Sequence, residues 1–151
     1  MGYLIWDSGS VRDPILIFGR GKMNLPRLFI IHAIITFAAG FALIFAPGMI
    51  PVSVGIHLEP SAYLICYLLG AAELSIGVLS IYGSSLRRSD SLRIVVVTVV
   101  FFHVSSAIVE VLALIRGVSP MLLVNIAVRI LAVALFVYYG IYKDSAKNQP
   151  H

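Results

Sequence analysis

The sequence predicts an all-α fold: an integral membrane four-helix bundle with both termini cytoplasmic. Three observations lead there. Of 151 residues, 60% are apolar and only 12% charged, with mean hydropathy +0.99, whereas a soluble domain is roughly 45–50% apolar and about 25% charged. The apolar residues gather in four long runs, near 25–45, 62–82, 94–115 and 121–142, each close to the ~20 residues a bilayer-crossing helix needs. The basic residues lie almost wholly on one side of those runs. A soluble chain of this composition would expose large apolar patches, and a disordered one would leave its apolar surface unburied. A β-barrel needs alternating strands, and these runs do not alternate.

Taken in order, residues 1–24 read as a short cytoplasmic, interfacial segment. Its apolar clusters, Tyr3 to Trp6 and Ile15 to Phe18, are interrupted by Asp7, Arg12 and Asp13, which does not suit a cleavable signal. Tyr3 and Trp6 sit at headgroup depth in this reading, with Arg20, Lys22 and Arg27 facing anionic lipid. Residues 25–142 form one four-span domain. Ala46-Pro47-Gly48 stops the first span, because Pro cannot continue the ladder and Gly suits a terminus. Glu59-Pro60-Ser61 opens the second, with Ser61 as a candidate N-cap, and Gly83-Ser84-Ser85 closes it. Arg116-Gly117 ends the third span, and Ser119-Pro120 starts the fourth. Residues 143–151 are a polar tail. The single Cys66 lies inside the second span and permits no intramolecular disulfide.

Orientation follows from the basic residues of short loops. Arg12, Arg20, Lys22, Arg27, Arg87, Arg88, Arg93, Lys143 and Lys147 share one side, nine of the eleven Lys and Arg. Arg116 alone lies on the other, and Arg129 is inside the fourth span. The expectation is therefore a multi-pass protein of the cell (inner) membrane. Its net charge of +4 is a topogenic bias and no sign of nucleic-acid binding.

The first and third spans echo one another. His32 precedes Ala42-Leu43-Ile44 by the same interval as His103 precedes Ala113-Leu114-Ile115, an offset of 71 throughout. Whether or not a duplication lies behind this, the two histidines are placed at similar depth.

Ionisable residues at depth are costly in lipid and carry the information: His32, Glu73, His103, Glu110 and Arg129, joined by Asn125. Glu73 shares a stripe with Cys66, Gly70, Gly77 and Ser80, small residues that let helices approach closely, so Glu73 points into protein. Arg129 cannot shed its charge and is the expected partner of Glu73, with Asn125 one turn away. Glu110 can reach the same height from the third span. Neutrality is cheaper at low dielectric, so one of the two carboxyls, Glu110 or whichever is drier, is expected to hold a proton.

These residues admit several readings. The Glu73–Glu110–Asn125–Arg129 network can be glue that specifies helix assembly, a proton-coupled transport path, or a headgroup-recognition site. His32 and His103 can be hydrogen-bonding groups across a seam or, at matched depth, axial ligands of a haem or pigment. A metal site finds little support: Glu-x-x-His pairs are lacking, and His103 to Glu110 spans two turns, roughly 10 Å. Phosphate loops, Cys pairs and nucleophile elbows are absent, and no segment outside the spans could house a soluble catalytic domain. The leading expectation is a non-catalytic structural or accessory subunit whose partners are the lipid bilayer and other transmembrane helices, in a homo-oligomer or larger complex. The alternatives are a small proton-coupled transporter on Glu73, Glu110 and Arg129, and a haem or pigment carrier on His32 and His103.

Overall fold

The computed structural model describes residues 23–86 and 90–142. The interfacial reading of Tyr3, Trp6, Arg20 and Lys22, the basic pair Arg87 and Arg88, and the polar tail from Lys143 fall outside the described residues. Those described are all-helical with no strand, and four helices are long and apolar enough to cross a membrane.

The first helix, α1, runs Leu25–Phe45. Asn24 caps it by accepting from the Arg27 N–H at 3.1 Å, which satisfies one of the otherwise orphaned first-turn donors. It ends before Pro47-Gly48, as the breaker residues indicate. A short helix that the sequence reading does not anticipate, α2 (Met49–Ser53), follows. Gly55 then takes φ +76°, and a Cβ there would stand 3.2 Å from Ser119 Oγ. The long connection thus folds back onto the turn between the last two spans.

A 3-10 turn, Pro60–Ala62, leads into α3, Tyr63–Ser85. Two boundary expectations are corrected here. Ser61 makes no capping bond, because Pro60 starts the turn early and leaves Ser61 inside it. Gly83 does not close the helix, which continues through it to Ser85. This glycine serves close approach instead: a Cβ would lie 2.9 Å from the Phe29 ring and from Val95 Cγ1.

The next helix, α4, begins at Asp90 rather than Ile94 and runs to Ile115, so Arg93 lies within it. Asp90 in the first turn complements the helix dipole. At the other end, Gly117 has φ +78°. Its N–H donates to Leu114 O at 2.9 Å and that of Val118 to Ala113 O at 3.1 Å, the paired bonds of a Schellman stop. Ser119 accepts from Met121 N–H at 3.2 Å and opens α5, Leu122–Val137. A π-helical turn, Tyr138–Tyr142, prolongs it. Gly140 in this turn lies against Val96, where a Cβ would meet Cγ1 at 2.8 Å.

The helices associate as two antiparallel pairs, α1 with α3 and α4 with α5. Were these helices in lipid, no transfer energy would drive this and close van der Waals contact would have to. The α1–α3 seam achieves it with glycine: a Cβ on Gly70 would fall 2.8 Å from Ile44 Cγ1 and 2.9 Å from Gly40 O. The pairs are joined by a core of Leu28, Phe29, Leu92, Val95, Val96, Val99 and Phe136. It sits at the end where α1 begins and α5 finishes, the terminal end; the opposite end is the loop end.

Candidate functional site

Two polar clusters occupy the interior, about two helical turns apart. The first rests on the terminal-end core. His32 of α1 meets His103 of α4 with Nε2 to Nε2 at 2.7 Å, and its Nδ1 meets Ser80 Oγ of α3 at 2.8 Å. The matched depth inferred from the sequence echo is present as direct contact. The rings cross edge to face at 5.0 Å, and Phe136 of α5 stands edge to face with His32 at 5.2 Å.

The network assigns the protons. The Ser80 hydroxyl donates to Ile76 O at 2.9 Å, a common back-bond in apolar helices. His32 Nδ1–H therefore donates to Ser80 Oγ, which leaves His32 Nε2 an acceptor for His103 Nε2–H. His103 Nδ1 is then a bare acceptor. It is buried and has no partner among the described residues. Ser80 is the member that sequence reasoning missed: it was legible as a small seam residue, but only the rotation of α3 reveals its bond to His32. Thr36, also unremarked, donates to His32 O at 3.0 Å.

The second cluster lies toward the loop end on α4 and α5. Glu110 Oε1 accepts from Arg129 Nε at 2.8 Å and from Asn125 Nδ2 at 2.6 Å. The Arg129 guanidinium stands 5.9 Å from the Phe102 ring centroid. Glu110 Oε2 is buried without a partner among the described residues. The expected Glu73–Arg129 pair is not what forms; Glu110 takes the arginine. Glu73 on α3 is only 7% exposed and makes no hydrogen bond or ion pair among the described residues, although Arg129 and Glu110 are within electrostatic reach. Glu110 wins because α4 packs along α5, whereas α3 is committed to α1.

The histidine geometry does not fit haem. Two imidazoles ligating one iron from opposite faces need their nitrogens roughly 4 Å apart, twice a metal–nitrogen bond of about 2 Å, and here they touch at 2.7 Å. Among the described residues, no three His, Cys, Asp or Glu side chains gather as a metal site.

Between α4 and α5 a groove of about 340 Å³ opens outward, lined by Val104, Ile108, Leu112, Ile126 and Ile130, among other apolar residues, and by Arg129. The class defined by these features is an all-helical chain with four helices apolar enough for a membrane and polar contacts in its interior. Comparison with known protein families, curated proteins and solved structures finds no match to this chain.

Proposed function

We propose that the chain is a non-catalytic structural or accessory subunit of a membrane assembly, a homo-oligomer or a larger complex, that works by helix packing. In this reading it resides in the cell (inner) membrane with both termini in the cytoplasm, as the basic residues favour.

The observation that supports it is the position of Arg129. Its side chain is 13% exposed and lines a groove that is otherwise apolar and open to the outside. A charge facing hydrocarbon near the bilayer centre costs about 2.5–3.5 kcal/mol even on the mildest scales. A neighbouring apolar helix laid in the groove would complete the enclosure that Glu110, Asn125 and Phe102 begin. The polar groups around it already bond helix to helix, which suits assembly better than turnover. A carrier built on Glu73, Glu110 and Arg129 has less support, since the groove reaches Arg129 but not Glu73.

Mass measurement in native detergent tests the reading. A multiple of the 16.4 kDa chain, or a complex with other subunits, is expected; a monodisperse lone monomer overturns it. Ile108→Cys and Ile130→Cys would locate the contact, since both line the groove and should crosslink to a neighbour in the membrane.

A further inference from the structure

We propose that residues 46–56, the connection that leaves α1, lie on the membrane as a strap, with their apolar side chains in lipid at the headgroup boundary of the loop end. This rests on the membrane reading of the four long helices and is independent of the assembly.

Three observations point to lipid. The first is in the sequence. No Asp, Glu, Lys or Arg occurs from Leu28 to Leu58, yet α1 stops at Phe45. The charge-free stretch therefore outlasts the helix that could span, and a surplus apolar run of this length suits an interfacial segment or a piece of buried core. Charge returns with Glu59, which is exposed along with His57 and marks the way back to water.

The second is exposure, which decides against buried core. Met49 is 58% exposed, Val52 49%, and Phe45 at the end of α1 80%; no residue of α2 is buried. The Phe45 ring stacks on that of Phe41 at 6.1 Å, and Phe41 is exposed as well, so the strap continues the outward apolar face of α1. Gly55 pins its far end beside the turn between α4 and α5, where a Cβ would stand 3.2 Å from Ser119 Oγ and 3.9 Å from Met121 Sδ. Val118 and Met121 of that turn are themselves exposed. Strap and turn thus meet, both with apolar side chains outward.

The third is the fate of the polar groups. The N–H groups of Met49, Val52, Val54, Gly55 and Ile56 donate at 2.9–3.1 Å to carbonyls between Ala46 and Val52. Pro47 and Pro51 have no N–H to satisfy. Ser53, the only polar side chain in 46–56, turns its hydroxyl onto Ile50 O at 2.7 Å. In water the solvent serves exposed amides; in lipid the chain must serve them itself, as this one does. A protein partner would find no charge here and few open donors for a polar rim, so lipid is the occupant that fits. Irregular backbone is not found facing the hydrocarbon centre. That sets the strap at the boundary, its side chains reaching about 5–10 Å inward.

The experiment puts nitroxide spin labels, one per variant, on the full chain in vesicles of phosphatidylcholine and phosphatidylglycerol. The sites are Met49→Cys and Val52→Cys in the strap, Glu59→Cys beyond it, and Ile34→Cys as a reference within a span. All four positions are exposed, so the labels disturb no packing. The buried Cys66 stays in place, and the parent chain measures any label it takes. Collision with oxygen, which concentrates in lipid, is compared with collision with a water-soluble nickel complex. Labels at 49 and 52 should favour oxygen several-fold, as the label at 34 does, while the label at 59 favours nickel. Nickel access at 49 and 52 equal to that at 59 overturns the proposal by putting the strap in water. Loss of both collisions there overturns it by putting protein over the strap. Nickel access at 34 would overturn the membrane reading itself, and the strap with it.

Discussion

The two halves of α4 behave as different materials. Up to His103 the helix buries Leu92, Val95, Val96, Val99 and His103 itself; beyond it no residue is fully buried, and only Glu110 tucks its carboxylate inward. Yet the apolar character does not fall: Ile108, Val109, Leu112 and Ile115 are all exposed. In a soluble protein such a stretch would be a defect. In a bilayer it is a helix equally at ease against lipid or another helix, so composition cannot report which half is packed. What separates the halves is the company they keep. The first half meets aromatic rings and the His32–Ser80 bond, whereas the second is tied to α5 through the Glu110–Arg129 pair.

The contrast can be broken by mutation, and all the measurements are unfolding free energies in detergent. Phe29→Ala should have the largest effect, about 3–5 kcal/mol, as buried Phe truncations do, since Phe29 is 0% exposed and its ring lies tilted against that of Phe136 at 5.0 Å. Gly70→Ala comes next. Its new methyl would strike backbone as well as side chain in the α1–α3 seam, so a loss of about 1–3 kcal/mol or more is expected. A smaller quantity sharpens the loop-end account. The double-mutant cycle of Glu110→Gln with Arg129→Leu should give a coupling of at least ~1 kcal/mol, while Glu73→Gln with Arg129→Leu should stay below ~0.5. Strong coupling for Glu73 would reverse the pairing described above. The smallest effect belongs to Leu112→Ala, within about ±0.5 kcal/mol, as expected of an exposed site. A Leu112→Ala loss matching that of Phe29→Ala would mean that the loop-end half is packed in solution.

Much of this was legible from the residues. Breakers placed the span ends: Pro47-Gly48 and Gly117 act as their chemistry dictates. The shared interval after His32 and His103 anticipated their similar depth, and the structure adds their direct contact. Rotation about the helix axis was legible only in part. The small-residue stripe of α3 showed which way Glu73 turns, since Cys66, Gly70, Glu73, Gly77 and Ser80 are on its buried face. No such stripe marks α4, so the heading of Glu110 stayed hidden and height alone left both carboxylates able to reach Arg129. The identity of Gly83 as a contact rather than a terminus was hidden for a related reason: a glycine beside two serines looks like a stop until Phe29 is seen pressed against it.

The π-helical turn at Tyr138–Tyr142 carries a consequence for how this chain tolerates changes of length. A turn of this kind holds one residue more than the α turn it replaces, a surplus stored past Arg129 and Phe136, where Tyr139 and Gly140 still meet the core. Deleting one residue there should let the turn relax to regular α geometry while Phe136 and Arg129 keep their headings. Deleting one between Arg129 and Phe136 would instead swing the two apart by about 100° around the axis, taking either the arginine from Glu110 or the phenylalanine from His32. The last helix thus has a stretch in which a residue can be lost without re-aiming Arg129 or Phe136, provided a glycine still faces Val96, which leaves no room for a Cβ at Gly140.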